Sequence, residues 1–144
     1  MEERLVKVGI THGDINGIGY EVILKTLSDT RIAELCTPVI YGSSKIAAYH
    51  RKVLELPAVN LSIIAQAEDA GVNRVNIINC VDDETKVELC QSTTAAGEAA
   101  YLALEAAVTD LKRGAVDVLV TAPINKHNIQ NEQFHFPGHT EYLE

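Results

Sequence analysis

The sequence lacks any apolar run that approaches the roughly 20 residues needed to cross a bilayer, although 47% of its 144 residues are hydrophobic. Its first residues are acidic and lead straight into a predicted strand, so no signal peptide is predicted. Basic residues are also few, since 12 lysines and arginines face 20 acids for a net charge of −8. A nucleic-acid backbone would be repelled by that charge, whereas a local pocket could still hold a small phosphorylated substrate. These absences predict a cytoplasmic protein of ordinary domain size that binds neither membranes nor nucleic acid.

Cysteine is scarce, and its spacing is typical of neither disulfides nor zinc sites. No C-x-x-C pair occurs among the three well-separated cysteines, which favours reduced thiols: Cys36, Cys80 and Cys90. His135 and His139 are spaced as two metal ligands on one helix face would be, but Pro137 and Gly138 lie between them and would break that helix. No trio of ligands has metal-site spacing, so we predict no metal site within this chain.

A glycine-rich loop follows the first predicted strand, but it lacks the features of two common nucleotide-binding loops. Its glycines are spaced G-x3-G-x-G rather than G-x-G-x-x-G: Gly13, Gly17 and Gly19. No carboxylate follows the second predicted strand, and no Lys-Ser or Lys-Thr pair follows the glycines. The loop is therefore either a tight strand-to-helix turn capped by Asp14 or one wall of a ligand site. We expect His12 beside it, and His50 in a later helix, to be structural or exposed.

The chain does contain a regular alternation of strand and helix patterns. Strands are predicted over five segments: residues 5–10, 38–42, 61–64, 75–78 and 116–120. Helical spacing is predicted over three more: residues 20–27, from Ser43 or Ser44 to about 56, and 93–113. The alternation predicts an α/β fold with a mainly parallel sheet flanked by helices. Gly97 inside the last of these helices costs about 1 kcal/mol relative to alanine, which predicts close packing or ligand approach there.

Polar side chains collect after the last predicted strand, which is the most apolar of the five and which we expect to be buried. Asn125 and Lys126 follow it closely, and His139 begins what reads as a further helix with Thr140 as its cap. In open parallel sheets ligands bind beyond the carboxyl ends of the strands. A helix start favours an anion, and a lysine beside a phosphate or a developing enolate stabilises its charge. The residues alone predict an anion site here without naming its ligand.

Three segments, taken in order, carry a family resemblance. Residues 10–21 read I-T-H-G-D-I-N-G-I-G-Y-E, residues 121–126 read T-A-P-I-N-K, and residues 137–141 read P-G-H-T-E. They resemble the motifs I-T-x-G-D-P-x-G-I-G-P-E, T-A-P-I-N-K and P-G-H-T-E of the 4-hydroxythreonine-4-phosphate dehydrogenase family of pyridoxal phosphate biosynthesis. The resemblance implies an isocitrate/isopropylmalate dehydrogenase-like fold. Residues 1–144 would then be the N-terminal α/β portion of a longer two-domain protein, cut inside a helix after the P-G-H-T-E segment.

The resemblance also implies an activity and a set of site residues. The family oxidises 4-phosphooxy-L-threonine with NAD or NADP and a divalent metal (zinc, magnesium or cobalt), and the product decarboxylates to 3-amino-2-oxopropyl phosphate. By the motif match, His139 and Thr140 would bind substrate, and Lys126, Asn125 and Asp14 would line the same pocket. The family's metal-binding histidines follow the P-G-H-T-E segment, so the metal and most of the cofactor would be bound downstream of this chain. We therefore expect a homodimer at full length and no activity from these 144 residues alone.

Two departures from the family pattern leave alternatives open. Ile15 and Tyr20 stand where the family usually has prolines, which predicts a different backbone in the first loop. Related dehydrogenases that act on sugar-acid phosphates, such as erythronate or threonate 4-phosphate, share these motifs. A phosphate acyltransferase-like protein also pairs a parallel sheet with phosphate-binding loops, and coenzyme A dependence without a divalent metal would favour it. A non-catalytic binding fragment is a further alternative.

Overall fold

Five parallel strands form one sheet in a computed structural model that describes residues 4–130 and 138–144. The strands are β1 (Lys7–Thr11), β2 (Thr37–Gly42), β3 (Leu61–Ile64), β4 (Val75–Asn79) and β5 (Val118–Thr121). The helices are α1 (Gly19–Leu27), α2 (Ile32–Leu35), α3 (Ser44–Val53), α4 (Thr94–Lys112) and α5 (His139–Leu143), with a single 3-10 turn at Ala67–Asp69. The predicted α/β class, with a parallel sheet and flanking helices, is confirmed.

The sheet reverses its strand order beside β1. Its order is β3-β4-β2-β1-β5, so the chain moves from β1 to one side and later returns to place β5 on the other. Gly9 lies opposite Val39 of β2 and Leu119 of β5, and both pairings are parallel. The loops that leave the carboxyl ends of β1 and β5 therefore start side by side. In open α/β sheets a ligand crevice forms at such a reversal.

Helices cover the two faces of the sheet with different side chains. One face packs large aliphatic residues of α1 on the strands: Ile23 and Leu27 against Ile40 and Ile77. The other face packs small residues of α4, Ala103 and Ala107, against larger residues: Val39 and Tyr41 of β2 and Val116 just before β5. Alanine has no side chain beyond Cβ, so α4 can approach the sheet closely. Both long connecting helices start at a serine or threonine cap, with Ser43 accepting from Ile46 N and Thr93 from Ala96 N.

The strand predictions are confirmed in place, with one error of environment. The last strand begins at Val118, two residues later than predicted, and it is the edge strand β5 rather than a buried one. Val118 and Val120 are 45% and 52% exposed, because α4 covers only the opposite face of β5. No helix was predicted over the four residues of α2. An apolar run makes a segment suitable for burial, but the elements that pack against it in the fold decide whether it is buried.

The final helix starts earlier than the sequence predicted. Helix α5 begins at His139 with Gly138 as its N-cap, so the prediction of Thr140 as the cap is wrong. Gly138 has no side chain that could accept a hydrogen bond from the first turn. Within the described ranges, none of the helices is both long and apolar enough to pass through a bilayer.

Candidate functional site

The loops after β1 and β5 are joined at the carboxyl edge of the sheet. Ala122 N donates to Thr11 O at 3.2 Å, and Asp14 N donates to Pro123 O at 2.8 Å. Gly13 has φ +67°, and a Cβ built there would lie 2.3 Å from Pro123 O. Only glycine fits that backbone and that contact. The glycine-rich loop and the T-A-P-I-N-K segment therefore form one continuous surface.

Asp14 organises this loop but does not cap the helix that follows. Its Oδ1 accepts from Asn16 N at 3.0 Å, which closes a short turn inside the loop. Helix α1 has Ile18 as its N-cap and no side-chain capping bond, so the capping prediction for Asp14 is wrong. Asn16 holds the other side of the loop, because its amide nitrogen donates to Gln91 O and its Oδ1 accepts from Glu88 N. The Asp14 carboxylate remains partly exposed at the site surface.

A buried hydrogen-bonded network lies directly beneath the glycine-rich loop. His12 is fully buried, with Nε2 3.0 Å from Ala99 O and Nδ1 2.8 Å from the Tyr20 hydroxyl. A carbonyl only accepts, so Nε2 carries the proton and Nδ1 accepts from the Tyr20 O–H. The same hydroxyl accepts from Ser43 N at 3.0 Å. The network therefore ties the start of the glycine-rich loop to α4 and to the turn after β2.

Burial keeps both histidines of this region neutral. Desolvation lowers the pKa of His12 to about 4, from an ordinary value of 6.5. Desolvation also lowers the pKa of His50, whose Nε2 donates to Ile15 O at 2.7 Å and whose ring stacks on Tyr20. Both were predicted to be structural or exposed; they are buried and hydrogen-bonded, so the structural alternative holds and the exposed one does not. Tyr20, which replaces a proline of the family motif, joins the two histidines.

Lys126 and His139 come together across 12 residues of sequence, at the start of α5. A Cβ built on Gly138 would lie 3.3 Å from Lys126 Cε and 3.7 Å from Nζ, so the amine lies against that glycine. Burial, and next the positive charge of Lys126, lower the pKa of His139. Its Nε2 is buried and has no hydrogen-bond partner in the described part of the chain. The site thus offers a cation beside a neutral imidazole, while Thr140 is exposed nearby.

Asn125 shapes the loop that carries Lys126. Its Oδ1 accepts from His127 N at 3.0 Å and from Asn128 N at 3.1 Å, and its Nδ2 donates to Ser92 Oγ at 3.1 Å. These bonds engage both polar atoms of the side chain in closing the turn. The structure places Asn125 at the site as a support for the loop.

Helix α4 provides the surface on which this loop rests. A Cβ on Gly97 would lie 1.8 Å from Asn128 O, so the close packing predicted for Gly97 is confirmed. Ile129 is fully buried against a patch of α4: Ala100, Leu104 and Val108. Residues 131–137 lie outside the described ranges, and with them His135 and Pro137 of the predicted helix break.

Two polar residues of the site were not predicted. Asn128 has buried Oδ1 and Nδ2 atoms, and Thr11 has a buried Oγ1, without partners among the described residues. Thr11 stands in the first motif and ends β1, a position that could have suggested a role. No sequence signal distinguishes Asn128 from the neighbouring polar residues. Such orphaned groups are uncommon in folded proteins and mark places where a ligand or water binds.

The described residues do not fit a resident metal by themselves. Residues 4–130 and 138–144 contain no group of three histidine, cysteine, aspartate or glutamate side chains placed to hold one ion. The positive charge of Lys126 beside His139 also disfavours a cation at that imidazole. Lys126 supplies a positive charge for an anionic ligand, and the Glu141 carboxylate lies against the same glycine, Gly138.

Comparison with known proteins relates this chain to one enzyme family. The family model described as "Pyridoxal phosphate biosynthetic protein PdxA" matches residues 34–144. A 4-hydroxythreonine-4-phosphate dehydrogenase of Bacteroides thetaiotaomicron is 60% identical over the whole chain, which covers 39% of that protein. A putative D-threonate 4-phosphate dehydrogenase of Clostridium botulinum is 31% identical, with 94% of this chain and 41% of that protein covered.

Solved structures agree with the sequence relatives. A 4-hydroxythreonine-4-phosphate dehydrogenase from Burkholderia phymatum superposes with a TM-score of 0.85 at 29% identity, covering 98% of this chain and 43% of that one. A putative one from Salmonella typhimurium gives a TM-score of 0.83 at 29% identity, covering 96% and 44%. The chain thus spans about two fifths of the length of these relatives. On its sequence and its fold, this chain belongs to the family of the pyridoxal phosphate biosynthetic protein PdxA.

Proposed function

We propose that this chain forms part of the substrate pocket of a 4-hydroxythreonine-4-phosphate dehydrogenase. The enzyme would oxidise the hydroxyl of 4-phosphooxy-L-threonine, and loss of carbon dioxide would give 3-amino-2-oxopropyl phosphate. One observation carries the proposal: Lys126 lies at the start of α5, next to a neutral His139 whose Nε2 has no partner among the described residues. The name of the 60% identical relative supports the same activity.

Each group has a physical task in that pocket. The substrate brings a phosphate and a carboxylate, and the Lys126 ammonium attracts either of them as a compact charge. His139 stays neutral, and its Nε2 has no partner within residues 4–130 and 138–144, so this atom can form a hydrogen bond with a substrate hydroxyl or phosphate oxygen. Thr140 offers an exposed hydroxyl beside it. The Asp14 carboxylate would favour the amino group of the substrate, while Asn125 keeps the Lys126 loop in shape.

The remaining parts of the chemistry belong to groups outside the described residues. Hydride transfer requires an acceptor, for which we propose NAD or NADP, and a divalent metal (zinc, magnesium or cobalt) would polarise the reacting oxygen when bound. The described residues contain no three-ligand cluster, so we propose that ligands from elsewhere in a homodimeric, cytoplasmic enzyme bind the metal. We accordingly expect no turnover from these 144 residues alone. Metal-dependent reduction of NAD or NADP by the purified chain would contradict this.

A binding experiment tests the pocket without requiring turnover. The 144-residue chain is titrated with 4-phosphooxy-L-threonine while its ¹H–¹⁵N NMR spectrum is recorded. We expect saturable shifts at residues 121–126 and 138–141, and Lys126→Gln to weaken binding about tenfold or more, as loss of a charge-assisted contact does. Lys112→Gln is the matched control, because Lys112 lies at the far end of α4. Equal affinities of the two variants would refute the role of Lys126.

A sugar-acid phosphate is the second candidate substrate. The 31% identical relative is named as a putative D-threonate 4-phosphate dehydrogenase. Threonate 4-phosphate has a hydroxyl where 4-phosphooxy-threonine has an amine. A carboxylate such as that of Asp14, which attracts the charged amine, is the kind of group that would make the enzyme prefer one substrate over the other. Turnover of the two substrates by the whole protein, compared as kcat/KM, decides between the candidates.

A further inference from the structure

A cavity lies near the amino ends of β3 and β4, whereas the candidate substrate site lies at the carboxyl ends of β1 and β5. It has a volume of about 560 Å³ and is lined by the segments that precede β3 and β4, together with the end of α1 and α2. Strand β4 has five residues, and at about 3.3 Å per residue its two ends are about 15 Å apart. This cavity is therefore separate from the surface formed by Lys126 and His139.

The charge of the cavity is unusual for this protein. Among the residues that the structure describes, Arg74 is the single charged lining residue, and no aspartate or glutamate lines the cavity. Within the described residues, the guanidinium groups of Arg74 and Arg51 have no salt bridge or side-chain hydrogen bond. Arg4, Arg31 and Arg113 each pair with a carboxylate. Arg74 is exposed to solvent at this cavity, and its guanidinium presents a fork of donors that matches a phosphate or carboxylate.

The turn that carries Arg74 is held rigidly from below. Asn76 is fully buried inside β4, where a polar side chain is costly unless it is satisfied. Its Oδ1 accepts from Gly71 N at 2.9 Å, and its Nδ2 lies 3.0 Å from Pro38 O, 3.2 Å from Gly71 O and 3.3 Å from Arg74 O. Both polar atoms of the Asn76 side chain therefore hold the turn at residues 71–74 against β2.

The same turn adds further polar groups and positions the arginine stem. Asn73 adopts a left-handed backbone conformation (φ 60°), which asparagine tolerates better than most residues. A Cβ on Gly71 would lie 2.7 Å from Arg74 Cδ, so glycine at 71 leaves room for the stem. Across the cavity stand Asn60, Ser62 and Thr30, over an apolar wall that includes Leu27 and Val59.

We propose that this cavity is a second ligand site, which binds a small organic anion with a phosphate or carboxylate head on Arg74. The asparagines and hydroxyls hydrogen-bond the polar part of the ligand, and the aliphatic wall receives its short carbon chain. The Asn76-anchored turn keeps the donors in place before the ligand arrives, which reduces the entropy that binding would otherwise lose. The site is independent of the proposed dehydrogenase activity.

NMR titration of the 144-residue chain tests the proposal with defined probes. The probes are glycerol 3-phosphate for a phosphate head, butyrate for a carboxylate head, and neutral glycerol as the control, all at matched ionic strength. We expect one or both anions, but not glycerol, to give saturable amide shifts at residues 28–30, 60–62 and 71–75. The head group that binds more tightly identifies the ligand class.

Two variants and one control connect the shifts to Arg74. Arg74→Gln is expected to weaken binding about tenfold or more, and Arg74→Lys, which keeps the charge but loses the fork, is expected to bind with intermediate affinity. Arg51→Gln removes an equal charge from an exposed position of α3 outside this cavity and is expected to leave binding unchanged. The proposal is overturned if neither anion gives saturable shifts, if Arg74→Gln binds as tightly as the wild type, or if glycerol shifts the same amides. Shifts confined to residues 121–126 and 138–141 would also overturn it, while agreeing with the dehydrogenase pocket.

Discussion

Removal of a single buried oxygen atom tests the network beneath the glycine-rich loop. Tyr20→Phe keeps the aromatic ring stacked on His50 but removes the hydroxyl that donates to His12 Nδ1 and accepts from Ser43 N. Tyr20, His12 and Ser43 are each fully buried, so water cannot readily replace the lost partner. A buried polar group left unsatisfied costs about 1–3 kcal/mol. With two such groups we expect a loss of about 2–6 kcal/mol in the free energy of unfolding.

Urea unfolding of the 144-residue chain measures this loss directly. With an m-value of about 2 kcal/mol/M, typical of a small domain, a loss of about 3 kcal/mol lowers the midpoint by about 1.5 M. Tyr49→Phe is the matched control, because it removes the same hydroxyl from a side chain that is 42% exposed. Surface substitutions of this kind stay within about 0.5 kcal/mol. If Tyr20→Phe differs from that control by less than about 0.5 kcal/mol, the hydroxyl does not hold the network and the reasoning is refuted.

Three further predictions follow from the same contacts. The pKa of His12 is about 4 in the folded chain and near 6.5 in the unfolded chain, so its contribution to stability is complete above about pH 6.5 and declines towards pH 4. Urea unfolding should show about 2 kcal/mol less stability at pH 5 than at pH 7.5. His12→Gln should reduce that difference. Burial is the larger cause of the lowered pKa of His139, and the positive charge of Lys126 is the second. Lys126→Ala removes that charge, so an NMR titration should show a higher pKa for His139. An unchanged pKa would show that Lys126 does not act on His139. Ile129→Ala empties a fully buried position on α4 and should cost about 2–5 kcal/mol in thermal or urea unfolding; a loss below about 1 kcal/mol would show that this segment is not docked.

The fold class was predictable because its signals are local. Each strand and long helix has its own pattern of apolar residues, and two cap residues mark where α3 and α4 begin. Burial is less local, and the last strand shows the limit of the sequence. Val118 and Val120 are apolar enough for a central strand, yet they lie on an edge strand with one uncovered face.

The candidate site divides in the same way. The sequence by itself determined which segments carry the site, because the T-A-P-I-N-K and P-G-H-T-E residues bring a cation, an imidazole and hydroxyls to the end of a strand. Only the tertiary structure decided that Lys126 lies against Gly138 and that Pro123 O requires glycine at position 13. It also decided that Tyr20 bonds His12 and that Asn76 of β4 bonds Pro38 O of β2. These contacts join residues that are distant in sequence or lie on different elements, and packing across the sheet, rather than any local pattern, brings them within hydrogen-bond reach.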